Sequence, residues 1–283
     1  MTAQQLSILM VCAFAVAAGC SSSTDAGVQR AATTTTVSGT TTTATTPEPS
    51  DPPETGSPAR TEAFEFSSNG VTTRGQIHLP ESFDKGMNLP TVYLIEFDSA
   101  GHEVAPEFET VIDSVKQING LKALVATLEE RPNITPSPSA YQEHVDLFRD
   151  MANHVDSTYT DNPSRTFIGR GFEAGIVLLD LFGEGPEDAG FDNYVATDVE
   201  SGFATEVRGV LESEDFSDAT TSKRLHFSFS ASNNVRLMTE LTDLIDQAEY
   251  PWLEFESVYY SDLGFFNAYP TAFTDGLAYV LGT

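Results

Sequence analysis

The sequence predicts an α/β fold, a three-layer sandwich with a mostly parallel central sheet entered through an N-terminal β-hairpin. Three observations carry this. From about Thr61 onward, short apolar runs suited to buried strands alternate with stretches whose apolar residues recur every three or four positions, the mark of helices packed on a sheet. Strands separated by helices join through right-handed crossovers and so lie parallel. The chain of 283 residues, 40% of them apolar, is long enough to bury one substantial core after its N-terminus is set aside.

The elements follow in order. Phe64 and Phe66 alternate with polar neighbours, Ser67-Ser68-Asn69-Gly70 is a turn, and Val71 to Leu79 resumes an extended pattern; together these read as a β-hairpin. Thr91 to Phe97 is an apolar run suited to a central strand. Phe108, Val111, Ile112, Val115 and Ile118 share one helical face, and Leu121 to Leu128 is the next strand. Tyr141, Val145, Phe148, Ala152 and Val155 mark a second helix, and Arg165 to Gly169 a strand. Phe172 to Phe182 is apolar nearly all round, as befits a helix beneath a sheet. Phe191 to Thr197 and Leu225 to Ser230 are further strands. The helix after them carries Val235, Met238, Leu241 and Ile245, Trp252 to Tyr260 is the last strand, and Tyr269 to Leu281 a closing helix.

Residues 1–19 carry no charge, and Leu6 to Ala18 has the length of a secretory signal core, too short to span a bilayer. Val16-Ala17-Ala18-Gly19-Cys20 resembles a bacterial lipobox, although no Lys or Arg precedes it. Cys20 is therefore the expected lipidation site, and each CH₂ of an attached chain that enters the membrane contributes about 0.8 kcal/mol. Residues 20–60 form a Thr/Pro-rich tether that cannot offset its ordering entropy, with a reach on the order of 35 Å. Such stalks can carry O-linked glycans. The folded domain is expected over 61–283. The protein is thus expected outside the cytoplasm, anchored to the bacterial membrane as a lipoprotein; with cleavage by an ordinary secretory signal it would be secreted instead.

Only two cysteines occur: Cys12 leaves with the signal and Cys20 is consumed by lipid, so neither a disulfide nor a reactive thiol is expected in the domain. The formal charge of −28 repels nucleic acid and anionic headgroups, and excludes both as direct partners. No cofactor is implied. His102 and Glu103 are adjacent and lack a third ligand of convincing spacing, so no metal site is expected. His144 and His154 read as surface or cap residues of the second helix, His78 and His226 as strand packing residues. The loops Gly183 to Asp188 and Glu212 to Asp215 are acidic but lack calcium-loop spacing, and read as solvated.

Thr166-Phe167-Ile168-Gly169-Arg170-Gly171-Phe172-Glu173-Ala174-Gly175 reads as strand, sharp turn and helix. The stretch has the form of the G-x-S-x-G elbow that exposes a nucleophilic serine above a sheet, with Gly171 at its centre. Around it stand Leu89-Pro90-Thr91-Val92-Tyr93-Leu94, Glu130-Arg131-Pro132-Asn133-Ile134-Thr135-Pro136, His154-Val155-Asp156-Ser157-Thr158-Tyr159-Thr160, Phe191-Asp192-Asn193-Tyr194-Val195-Ala196 and Asp275-Gly276-Leu277. In this order and spacing, the chain from about Phe64 to Leu281 resembles the siderophore (enterobactin-type) and esterase D type esterases of the α/β-hydrolase superfamily.

The resemblance implies an α/β-hydrolase-like sandwich and ester hydrolysis by a serine, an acid and a histidine in that chain order. The matching positions hold other residues. Gly171 stands for the serine, with Arg170 before it where the family often has histidine. Asn233 or Asn234 stands for the acid, and Leu263 for the base; no histidine follows His226. A triad needs an activated hydroxyl, a base in reach and a carboxylate orienting that base. The expectation is therefore a pseudo-esterase with a binding or structural role, its pocket lined by Phe97, Ser99, His102, Arg170, Phe172, Phe265 and Phe266. The alternative is an esterase-type hydrolase with relocated groups, Ser99 with His102 or with an acid near Asp262.

Overall fold

In the computed structural model, residues 56–96, 106–129 and 137–282 are described. Strands β1 (Arg60–Ser68) and β2 (Val71–Leu79) form the hairpin, with Asn69 and Gly70 both at positive φ, 50° and 76°. That pair of angles makes the tight turn whose twist matches the flanking strands. The chain continues through β3 (Thr91–Leu94), α1 (Pro106–Gln117), β4 (Leu124–Leu128), α2 (Tyr141–Tyr159), β5 (Arg165–Arg170) and α3 (Phe172–Phe182). It closes with β6 (Asn193–Thr197), α4 (Ser201–Ser213), β7 (Lys223–Ser230), α5 (Val235–Ala248), β8 (Leu253–Tyr260) and α6 (Phe265–Leu281).

The eight strands form one sheet in the order β1-β2-β4-β3-β5-β6-β7-β8. Only β1 with β2 and β2 with β4 run antiparallel; the other pairs are parallel. Strand side chains alternate between faces, and the core divides accordingly. Val92, Leu94, Ile168 and Val195 join α1 and α6 on one face. Tyr93, Phe167, Tyr194 and Phe227 join α2, α3, α4 and α5 on the other. Central strands buried on both faces read as unbroken apolar runs, as β3 and β4 do.

The two sheet edges differ from this interior. On β8, Glu254 and Glu256 are exposed, and Glu254 pairs with Arg224 of β7 at 2.8 Å. On β1, Arg60, Glu62 and Glu65 are exposed or nearly so, Arg60 pairing with Glu62 at 2.6 Å and Arg74 of β2 with Glu65 at 3.2 Å.

Three differences from the sequence reading have physical causes. Helix α4 was not anticipated; Gly202 and Gly209 dilute its helical propensity, yet its buried Phe203, Ala204 and Val207 lie at the spacing of one face. Helix α6 begins at Phe265 rather than Tyr269, because Pro270 sits within its first turns, where its missing N–H removes a single bond. His144 is not a surface residue: it is fully buried in α2, whereas His154 stacks on Phe64 with ring centroids 5.4 Å apart.

Helices α3 and α4 meet through Gly175, where a Cβ would run into the fully buried ring of Phe203. Gly175→Ala is expected to destabilise the fold by about 1–3 kcal/mol, the cost of overpacking a tight core. Urea unfolding of the variant checks this, and an unchanged midpoint would show that the helix pair has slack.

Candidate functional site

The site is built at the C-terminal ends of β3 and β5, where the chain leaves the sheet in opposite directions. In open α/β sheets this switch point forms a crevice suited to ligands. Leu94 pairs with Ile168, and Ile95 N–H donates to Ile168 O at 2.9 Å. Two residues beyond that pair on each strand stand Glu96 and Arg170, close enough for their charges to interact.

After Arg170 the backbone turns at Gly171, with φ 63° and ψ −120°. This conformation is costly for any residue with a Cβ and open to glycine. The turn is stitched to the next crossover: Gly171 N–H donates to Thr197 O at 2.9 Å, and Glu200 N–H donates to Gly171 O at 3.0 Å. Helix α3 then folds back so closely on β5 that a Cβ on Gly169 would lie 2.9 Å from the Glu173 carbonyl carbon and from Ile95 Cγ2. At residue 171 a Cβ would meet only ordinary contacts, 3.6 Å from Phe265 Cζ and 3.8 Å from Glu173 Oε2, so it is the backbone angle rather than crowding that favours glycine there.

Arg170 lies in a cage. Its guanidinium carbon is 4.4 Å from the Tyr269 ring centroid, 4.8 Å from Phe265 and 5.6 Å from Phe266, all in the first turns of α6. It forms an ion pair with Glu107 in the first turn of α1, a helix end that favours a carboxylate. Burial, then the hydrogen bond to Glu107 and the charges of Glu107 and Glu173, push the Glu96 carboxyl up to about 10, against the opposing pull of Arg170. Glu96 is therefore a neutral acid at pH 7. Glu96 Oε2 and Arg170 Nη1 are buried and have no hydrogen-bond partner among the described residues.

The other positions singled out from the sequence have local partners. Asn233 Nδ2 donates to Asp198 Oδ1 at 3.2 Å and to Val199 O at 3.1 Å, while Asn234 Oδ1 caps α5 by accepting from Leu237 N–H at 3.3 Å. Asp198 is buried at φ 52°, with Oδ1 also accepting from Ser230 N–H at 2.7 Å. Leu263 is half-buried, and its carbonyl accepts from Ala231 N–H at 3.0 Å. Asp262 is exposed, with Ser261 Oγ donating to it at 3.4 Å.

Arg170 and Phe265 meet above the elbow, with Phe266 at the outer edge. Phe172 opens α3 and is half exposed, its ring edge-on to Phe203. Phe97, Ser99, His102 and Cys20 lie outside the described residues. None of the described histidines reaches the elbow. His226 is buried between β7 and α6 near Tyr279, and burial pulls it down to about 4.

Glu107 escaped the sequence reading, while Glu96 fell within the run from Thr91 to Phe97 and Glu173 within the elbow stretch, neither with a role of its own. The available signal was a carboxylate closing the apolar run of β3, two residues past its last buried pair with β5. Among the described residues no group of three or more His, Cys, Asp or Glu is placed to hold a metal ion. In the acidic loops Glu187 instead pins a neighbouring loop, accepting from Thr220 Oγ1 at 3.0 Å and Thr221 N–H at 3.3 Å.

A single sheet of this strand order, helices on both faces and a positive-φ turn after the fifth strand define the α/β-hydrolase fold. Solved structures bear the class out. An IroE-like serine hydrolase from Shewanella oneidensis matches with a TM-score of 0.61 and 16% identity, over 77% of this chain and 79% of its own. Siderophore hydrolase EstA from Aspergillus nidulans matches with a TM-score of 0.59 and 13% identity, over 85% of this chain and 100% of its own. The BES protein from Bacillus cereus gives 0.61 and 13%, over 84% and 99%. No family model and no curated protein sequence matches the chain.

A carboxyl raised in the folded state binds its proton more tightly there than in the unfolded chain, so stability falls as pH rises through the window from about 4.5 to about 10. The loss from this group is at most about 1.4 kcal/mol per pH unit. Glu96→Gln removes that contribution, so the variant is expected to gain on the wild type between pH 6 and pH 9. Denaturant unfolding at both pH values reads the difference; parallel profiles would show that Glu96 titrates normally.

Proposed function

We propose that this is a lipid-anchored, extracytoplasmic protein of the α/β-hydrolase fold that works through binding at its elbow site and does not hydrolyse esters by a serine triad. The observation that carries the reading is Gly171, which occupies the elbow with φ 63° and ψ −120° and offers no nucleophile. Two further features support it. At the base position Leu263 has no group that accepts a proton, and at the acid position Asn233 is engaged with Asp198 and Val199. The structural neighbours described as hydrolases supply the scaffold for comparison, but at this level of identity their chemistry does not carry over.

The Cys20 lipid would hold the domain outside the membrane on its Thr/Pro-rich tether. The acidic surface then favours a location away from anionic headgroups.

A fluorophosphonate probe and turnover of short p-nitrophenyl esters test the reading: neither labelling nor turnover above background is expected, and clear labelling with hydrolysis would overturn it. Restoring the nucleophile alone should fail as well. Gly171→Ser is expected to remain inactive and to lose about 1–3 kcal/mol of stability from its strained backbone. Robust activity in that variant would mean that a base lies within reach of residue 171.

A further inference from the structure

His226 takes no part in the elbow, yet it is fully buried and neither of its ring nitrogens has a hydrogen-bond partner. Buried polar groups are almost always hydrogen-bonded, and an exception calls for an explanation. In the sheet His226 stands between Val195 of β6 and Glu256 of β8. Helix α6 crosses above it at Gly276, where a Cβ would lie 2.5 Å from Val195 Cγ1 and 2.9 Å from His226 Nδ1. The charged groups around the ring stand off or are engaged elsewhere. Glu256 Oε2 is 3.8 Å from Nε2, on the solvent side. Asp275 of α6 accepts from the Tyr260 hydroxyl at 2.8 Å, and Tyr279 of α6 has its ring centroid 6.3 Å away. Arg224, two residues earlier on β7, pairs with Glu254 and donates to Val280 O at 3.2 Å.

We propose that His226 is an acid-sensitive latch: with one ring proton it lets α6 lie flat on β6 and β7, and on taking a second it loosens α6 and, with that helix, the aromatic cage over Arg170. A neutral imidazole has one donor and one acceptor nitrogen, an imidazolium two donors. A small inward movement of Glu256 would meet the donor at Nε2. The donor at Nδ1 would lie beneath Gly276, where the backbone is in contact and its carbonyls already accept within the helix. A charged ring with an unmet donor is costly to keep buried. Burial accordingly holds the imidazole down at about 4, against the pull of Asp275, whereas an exposed ring titrates near about 6.5. The opened state then binds the proton more readily. The closed helix has its full stability above about 6.5 and loses it as pH falls toward about 4, the opening equilibrium rising by at most about tenfold per pH unit. Glu96 acts in the opposite sense over this window, so the latch shows in local opening of α6 more than in global stability. Because α6 also supplies Phe265, Phe266 and Tyr269 to the guanidinium, acid reaches the elbow through one helix. The effect on a ligand rests on the reading that the elbow site binds; the latch itself does not.

NMR titration of the imidazole in the full chain, and amide hydrogen exchange at pH 7 and pH 5 corrected for the intrinsic pH dependence of exchange, test the latch. In the folded protein His226 is expected to stay neutral down to pH 5. Peptides of α6, first turn included, are expected to lose about tenfold in protection between the two pH values, while those of α3 change by less than about threefold. His226→Leu is uncharged at every pH and gives up no hydrogen bond, so its α6 should keep its protection within about threefold. The proposal is overturned if the ring titrates at 6.5 or above, if α6 loses no more protection than α3, or if His226→Leu loses as much as the wild type. Should that variant fail to fold, the titration and the comparison of α6 with α3 in the wild type decide the matter. Ester turnover is read on the same samples: turnover counts against the non-catalytic reading alone, and unchanged α6 exchange counts against the latch alone.

Discussion

The backbone of Gly171 is the constraint on which the site depends. Its φ of 63° with ψ −120° turns the chain from β5 into α3 within one residue, its N–H bonded to the last residue of β6 and its C=O to the crossover that follows. Two crossovers are thereby locked in one geometry. That lock places Arg170 on one side of the turn and Glu173 on the other, and it obliges residue 169 to be small, because the first turn of α3 presses on it. The turn survives without a reactive side chain because its bonds are all made by main-chain atoms.

Around this turn, three elements contribute charges that none of them could bury alone. β3 supplies Glu96, α1 supplies Glu107 at its N-terminal end and β5 supplies Arg170, with α6 covering the guanidinium by three rings. In a poorly solvated pocket two carboxyls beside one guanidinium cannot all be ionised cheaply, and the proton on Glu96 is the resolution. The arrangement differs from the surface, where carboxylates are numerous and well solvated. A buried group that keeps its proton and a guanidinium that keeps its cage make a site of fixed polarity.

Strands and helices with strong periodicity could be read directly from the chain: α3 is apolar all round, β3 and β4 are unbroken apolar runs, and Asn69-Gly70 announces its hairpin. Helix α4 could not, because its two glycines suppress the local signal and burial against α3 and α5 supplies the stability. The elbow was legible because glycine spacing encodes backbone geometry. Its surroundings were not: Arg170 is far in sequence from Glu96 and Glu107, and it meets them only because strand order places β3 beside β5. His144 was misplaced for a related reason, since a polar residue inside an amphipathic helix shows its orientation only after the sheet is in place.

The charged edges of the sheet bear on how copies of this protein behave in company. An outer strand has unpaired main-chain groups that invite another strand, and β8 meets that hazard with Glu254 and Glu256. Two such edges brought together would align carboxylates, a repulsion that reaches about 10 Å at about 0.1 M salt and only about 3 Å at molar ionic strength. Colloidal behaviour is therefore tied to the surrounding electrolyte: as ionic strength rises, the long-range repulsion fades and close-range mismatch at the strand becomes the remaining barrier to self-association.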